Sequence, residues 1–180
     1  MINVNAPVVF VDVMGPLITR CNMRVGVSKE KSPFLNPMAC DNLQRLIDRT
    51  GAHVVFSSIL CGHTLGMTEV FNFFFNSNYN IPFIGMTKPN KDGWREFEIL
   101  DWLDAHYVAH DCFVVLDDDV VDNNSIDDHL VAINPNYGIK DKDVEKAIKI
   151  IEKFRPSLDE VKDLPALERL AKFKAKRRRK

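Results

Sequence analysis

The stretch VVFVDVMGPL, residues 8–17, decides how this chain is read. Val8-Val9-Phe10-Val11 runs without a polar interruption and ends on Asp12. Such a run predicts a strand buried on both faces, as in a parallel sheet covered by helices. A second string, CFVVLDDDV at residues 112–120, has the same design and ends on Asp117, Asp118 and Asp119. In an open α/β sheet, ligands bind at the carboxyl ends of the strands. Two such strands side by side would bring several carboxylates together, and their repulsion raises pKa values or calls for a divalent cation. A magnesium-type site built on Asp12 is therefore the first expectation. Either string alone could end in Asp merely to start a turn or cap a helix. Both together, with His53-Val54-Val55-Phe56 running into Ser57 and Ser58 between them, favour a site.

Outward from these strands, helices and strands alternate. Residues 18–35 are polar and irregular. Asn36 and Pro37 open a helix whose inward face is Ala39, Leu43, Leu46 and Ile47, and Gly51 closes it. Residues 64–75 predict a helix with Phe71, Phe74 and Phe75 in the core, followed by a short strand from Ile81 to Gly85. Residues 93–106 predict an amphipathic helix burying Phe97, Leu100 and Leu103, with Trp94 a further candidate. A strand over 129–133 precedes a helix from Val144 to Phe154, capped by Asp141. Ser157 with Glu160 reads as a capping box for a last short helix, which Pro165 interrupts. This alternation predicts a three-layer α/β sandwich around a parallel sheet of about five strands. The segment 18–35 is too short for an elaborate cap domain. The division expected is residues 1–156 as the α/β domain and 157–180 as a short helical segment with a basic, mobile tail.

The chain's 180 residues, 46% of them hydrophobic, suit one domain with a sizeable core. No apolar run approaches a membrane span, and no leader-like pattern opens the chain. Cys21, Cys40, Cys61 and Cys112 have no paired spacing, so free thiols in a reducing, cytoplasmic setting are expected. Cys61-Gly62-His63 is too small a set to predict a metal site. The net charge of −1 hides an asymmetry, because seven Lys or Arg residues and no acid lie within Lys172–Lys180. Residues 1–171 carry −8. A basic end of this kind is a solvated tail or a non-specific nucleic-acid arm. It would tether a nucleic-acid end near Asp12 only if it left the sheet on the same side.

The order of these passages resembles the haloacid dehalogenase (HAD) superfamily of aspartyl phosphotransferases. Within it, residues 7–150 look most like the small HAD domains of Swiss Army knife RNA repair proteins. The resemblance is carried by Asp12 with Gly15 and Leu17, Thr50-Gly51-Ala52 before VVFSS, and IGMTKP. Arg95-Glu96-Phe97-Glu98-Ile99, Trp102-Leu103, VVLDDD and Gly138-Ile139 complete it. The resemblance implies that Asp12 is the nucleophile and Ser57 a phosphate-binding hydroxyl. It implies magnesium held by Asp12, the Met14 backbone carbonyl, Asp117 and Asp118, with Asp119 and Asp122 outside or at the edge. Arg95 and Lys91 are both candidates for the cation that neutralises the phosphoryl group, with Arg95 preferred. A metal and a cation are what a carboxylate needs to attack a phosphate dianion.

The chain also departs from the family. The general acid–base aspartate expected two positions after the nucleophile is Met14, Pro16 replaces a threonine, and Ile59-Leu60-Cys61 replaces a Ser-Trp-Arg run. General acid–base help is typically worth about 10²–10⁴ in rate. Two functions are compatible with the loss. One is a magnesium-dependent phosphohydrolase acting on a phosphorylated small molecule, a nucleotide or a polynucleotide end. The other is a pseudoenzyme serving as a nucleic-acid- or protein-binding module. A receiver-domain reading also uses clustered aspartates, but there the acid pair comes early in the chain, whereas here it comes late.

Overall fold

The computed structural model describes residues 5–24, 35–62, 64–90, 94–119 and 125–177. Lys91, Asp122, His63 and residues 178–180 lie outside them. Five parallel strands form one sheet: β1 (Val8–Val11), β2 (His53–Phe56), β3 (Phe83–Met86), β4 (Phe113–Asp117) and β5 (Leu130–Ala132). Their order is β3-β2-β1-β4-β5. The chain leaves β1 in one direction to build β2 and β3, then returns to place β4 on the other side. This reversal at β1 and β4 opens the crevice where Asp12 and Asp117 emerge.

Residues alternate between the two faces of the sheet. Val9 and Val11 pack with Val54, Phe56, Val114 and Leu116 against α2 (Pro37–Thr50), α3 (Thr64–Phe75) and α5 (Asp141–Asp159). Val8 and Phe10 pack with Val55, Phe113 and Val115 against α4 (Arg95–Ala105). Complete burial of β1 on both faces explains why its sequence has no polar alternation. At the start of α2, the Asn36 side chain accepts from the amides of Met38 and Ala39. Gly51, at φ 65°, ends that helix.

Several details differ from the sequence expectations. Residues 18–35 include a one-turn helix, α1 (Arg20–Arg24), and Ile18 bridges to both Met14 and Leu35. Phe75 is 81% exposed because α3 presents Met67, Val70 and Phe74 to the core instead. The helix α4 buries Glu96, Glu98, Ile99, Trp102 and Leu103, while Trp94 and Phe97 stay exposed. The cap of α5 is Lys140 rather than Asp141, with the Asp143 carboxylate accepting from the Lys140 amide at 3.0 Å. The same helix runs through Pro156 to Asp159, so Ser157 lies inside it and donates to the Phe154 carbonyl at 2.7 Å. Leu158 and Val161 are buried, which holds this last turn down.

The basic end continues as α6 (Ala166–Arg177). Arg169 bonds Asn5, Lys176 bonds the Asp111 carboxylate at 2.5 Å, and Phe173 meets Tyr107 edge-on at 5.6 Å. Asn5 precedes β1 and Asp111 precedes β4. The helix therefore docks at the amino edge of the sheet, the opposite edge from Asp12. Among the described residues, no helix is long and apolar enough to cross a membrane.

Candidate active site

The site is built on the parallel pairing of neighbouring strands. Val11 stands opposite both Phe56 and Leu116, so the next residues, Asp12, Ser57 and Asp117, reach the carboxyl edge on adjacent rungs. The amide of Ser57 donates to Val11 O at 2.9 Å and that of Asp12 to Leu116 O at 2.9 Å, fixing these neighbours. One oxygen each from Asp12, Asp117 and Asp118 lies within 4.8 Å of the others. Asp12 and Asp117 are buried and Asp118 is half-buried. Asp119 is exposed, and its amide donates to Asp117 Oδ1 at 2.9 Å.

Arg95, at the start of α4, reaches into this cluster. Its Nε donates to Asp117 Oδ2 at 3.0 Å, and its Nη1 to Glu98 Oε2 at 2.6 Å. Its Nη2 stands 4.0 Å from Asp12 Oδ2. The Met14 amide approaches Asp12 Oδ1 at 3.3 Å, while the Met14 side chain packs half-buried against the core. Gly15 makes the close approach of two loops possible. Its φ is +88°, and a Cβ added there would lie 2.1 Å from Asp118 Oδ1. Gly138, at φ +71°, sits under the same loop, where a Cβ would lie 2.6 Å from Pro16 O.

The electrostatics follow from burial. Burial and then the Asp117 charge push the Asp12 carboxyl up to about 7, against a Ser58 hydrogen bond and Arg95, which lower it. Burial pushes Asp117 to about 6, although Arg95 and the Asp119 amide oppose the rise. Asp118 is also raised, first by burial. Burial pulls the Arg95 guanidinium down, but Asp117, Asp12 and Glu98 more than offset it and hold it above its ordinary value.

The donor set fits magnesium. It consists of hard carboxylate oxygens whose proton affinity is raised because negative charge is crowded and desolvated. A buried hydroxyl lies on the neighbouring rung. Ser57 Oγ is fully buried, with no hydrogen-bond partner among the described residues. Such a group costs roughly 1–3 kcal/mol unless something outside the protein satisfies it.

A family model described as the HAD domain in Swiss Army Knife RNA repair proteins matches residues 8–144. The chain belongs to this HAD family. No curated protein matches it.

The structure thus brings together Asp12, Asp117, Asp118, Arg95 and, one strand over, Ser57, all on the carboxyl edge of the HAD sheet. Lys91 lies outside the described residues. Cys61 is not part of the carboxylate cluster; its thiol donates to Phe56 O at 3.6 Å, within reach of the Arg95 and Asp12 charges. Three residues had no assigned role in the sequence. Glu98 is buried, accepts from Arg95, and accepts the Asn90 amide at 3.0 Å. Ser58, also buried, hydrogen-bonds Asp12. Thr87 follows β3, its amide donating to Phe56 O at 2.8 Å, and its buried hydroxyl has no partner among the described residues. A usable signal existed for Glu98, since an acid three residues after Arg95 on a helix shares its face.

Proposed function

We propose that this HAD domain is a magnesium-dependent phosphohydrolase acting on nucleotides or phosphorylated polynucleotide ends. The observation that carries the reading is the convergence of Asp12, Asp117 and Asp118 within 4.8 Å beside the Arg95 guanidinium. An Asp12 carboxylate oxygen forms a bond to phosphorus as the bond to the leaving oxygen breaks. The leaving oxygen departs with the electron pair, and water then cleaves the aspartyl phosphate, releasing inorganic phosphate and restoring Asp12. Magnesium, held by Asp12, Asp117, Asp118 and the Met14 carbonyl, would neutralise charge shared by the carboxylates and the phosphate. Arg95 draws charge from the equatorial oxygens, and the Ser57 hydroxyl donates to one of them. The family's link to RNA repair supports a nucleic-acid-related substrate.

Met14 supplies no proton to the leaving oxygen, so phosphoanhydrides and other activated phosphates are the better substrates. The same residue favours a second reading, a binding module that holds a phosphorylated end without turning it over. Phosphate release from an aryl phosphate and from an end-phosphorylated oligonucleotide, with magnesium and with Asp12→Asn as control, separates the two. Release that needs both magnesium and Asp12 supports hydrolysis. Magnesium-dependent binding of the phosphorylated end without release supports the module.

A further inference from the structure

The start of α4 carries more than the site cation. Trp94 is 46% exposed and Phe97 50% exposed, and their rings lie 6.1 Å apart at 41°. They are three residues apart, so they share a helical stripe, and the stripe of Arg95 and Glu98 runs directly beside it. Trp94 directly precedes Arg95, which reaches Asp117 and Asp12, so the pair lies on the end of α4 that meets the acidic site. Ile59, after β2, and Met86, at the end of β3, are also exposed on the carboxyl edge.

The pair is also tied to the site. Asn90 Oδ1 accepts the Trp94 amide at 3.0 Å, and Asn90 Nδ2 donates to the Trp94 carbonyl at 2.8 Å. The Asn90 amide in turn donates to Glu98, whose other oxygen holds Arg95. One buried carboxylate thus fixes both the guanidinium and the backbone that carries the tryptophan. Large rings left in water beside the Arg95 guanidinium match the two halves of a nucleotide. Its anionic phosphate goes to the cation, and its flat apolar base goes to the ring faces.

We infer that Trp94 and Phe97 form a stacking platform for the terminal base of a single-stranded nucleic-acid end whose phosphate lies against Arg95. This rests on the proposed function for the phosphate's position, but not on hydrolysis. An unpaired base offers both faces and its full freedom of orientation to the rings, whereas a paired terminal base offers only its outer face. Selection is by the base's π-face, so purines and pyrimidines are both accepted.

Calorimetric binding of the full chain, with magnesium, tests this using two end-phosphorylated single-stranded oligonucleotides that differ only in an abasic terminal nucleotide. The base-bearing oligomer should bind about 5- to 150-fold more tightly. That ratio should fall to about one in Trp94→Ala and in Phe97→Ala, and recover in part in Trp94→Phe. Intrinsic fluorescence gives a second readout, because Trp94 is exposed and Trp102 is 5% exposed. The base-bearing oligomer should quench the wild type and the abasic one should not. Equal affinity of the wild type for both oligomers overturns the inference, as does a preference that survives both alanine variants. Base preference without phosphate release leaves the platform standing and removes hydrolysis. Release from both oligomers at equal affinity leaves hydrolysis standing and removes the platform.

Discussion

Gly15 and Asp118 are in contact across two loops from different strands. The Gly15 Cα occupies space that leaves no room for a side chain, since a Cβ would sit 2.1 Å from Asp118 Oδ1 and 2.3 Å from its Cγ. The backbone at Gly15 is also left-handed, with φ +88°. Gly15→Ala therefore combines strain of roughly 1–3 kcal/mol with displacement of an acidic site residue. Both stability in chelator and the gain in melting temperature on adding magnesium should fall. Chemical denaturation with and without magnesium checks this, and a variant matching the wild type on both counts would show that the contact is dispensable.

The raised carboxyl pKa values set a pH dependence. Asp12 at about 7 and Asp117 at about 6 both lie above the ordinary carboxylate range. Each group therefore stabilises the metal-free fold fully below about pH 4, and that contribution is lost as the pH rises through about 6 to 7. Magnesium competes with these protons, so its stabilising effect should run the other way, larger near pH 8 than near pH 5. Thermal melts in chelator and in millimolar magnesium across that range measure both slopes. A magnesium shift that is flat with pH would contradict binding at these carboxylates.

Arg95 is the cation that balances Asp117, Glu98 and, at longer range, Asp12. Arg95→Met leaves buried carboxylates unpaired, at a cost of up to about 3–5 kcal/mol near neutral pH. Acidification should recover part of that loss, because the carboxyls can then take protons. Magnesium should stabilise the variant more than it stabilises the wild type, since a metal can supply the missing positive charge. Calorimetric unfolding of both proteins, with and without magnesium, gives the comparison. An equal magnesium shift in the two would place the ion away from Arg95's partners.

Met14→Asp restores a proton donor two residues after Asp12. Hydrolysis of ordinary phosphomonoesters should rise, by up to about 10²–10⁴-fold, and far more than hydrolysis of activated aryl or acyl phosphates. The native side chain packs half-buried against the core, so a modest loss of stability should accompany the gain. Steady-state rates on the two substrate types decide it, and equal increases on both would rule out a general-acid role.

The sheet was legible because β1 and β4 are apolar on both faces and end in acid, a pattern that few other settings produce. The cap at Asn36 and the stop at Gly51 were legible because their chemistry is local. The face of α4 was not. Counting large apolar residues favours Phe97, but Arg95 and Glu98 are drawn to the acidic cluster, and that rotation puts Ile99 and Trp102 inward. The sequence pattern predicts a helix end at Phe154, yet α5 runs on through Pro156 to Asp159, with Leu158 and Val161 buried. The partners of Asp12 could not be read from spacing, because Ser58 and Arg95 reach it only through parallel pairing and helix docking.

The docking of α6 makes the thickness of the sheet a measure of length. Its strands are three to five residues long, so roughly 10–17 Å of packed protein separates the edge that holds Lys176 from the edge that holds Asp12. A nucleic acid held by the basic helix cannot offer its nearest nucleotide to Asp12. It must first pass around the outside of the domain. Strands of two or three nucleotides would engage one edge at a time, and only longer ones could engage both. Affinity plotted against oligonucleotide length should then show a step rather than a smooth rise, and the position of that step would report the path around the fold.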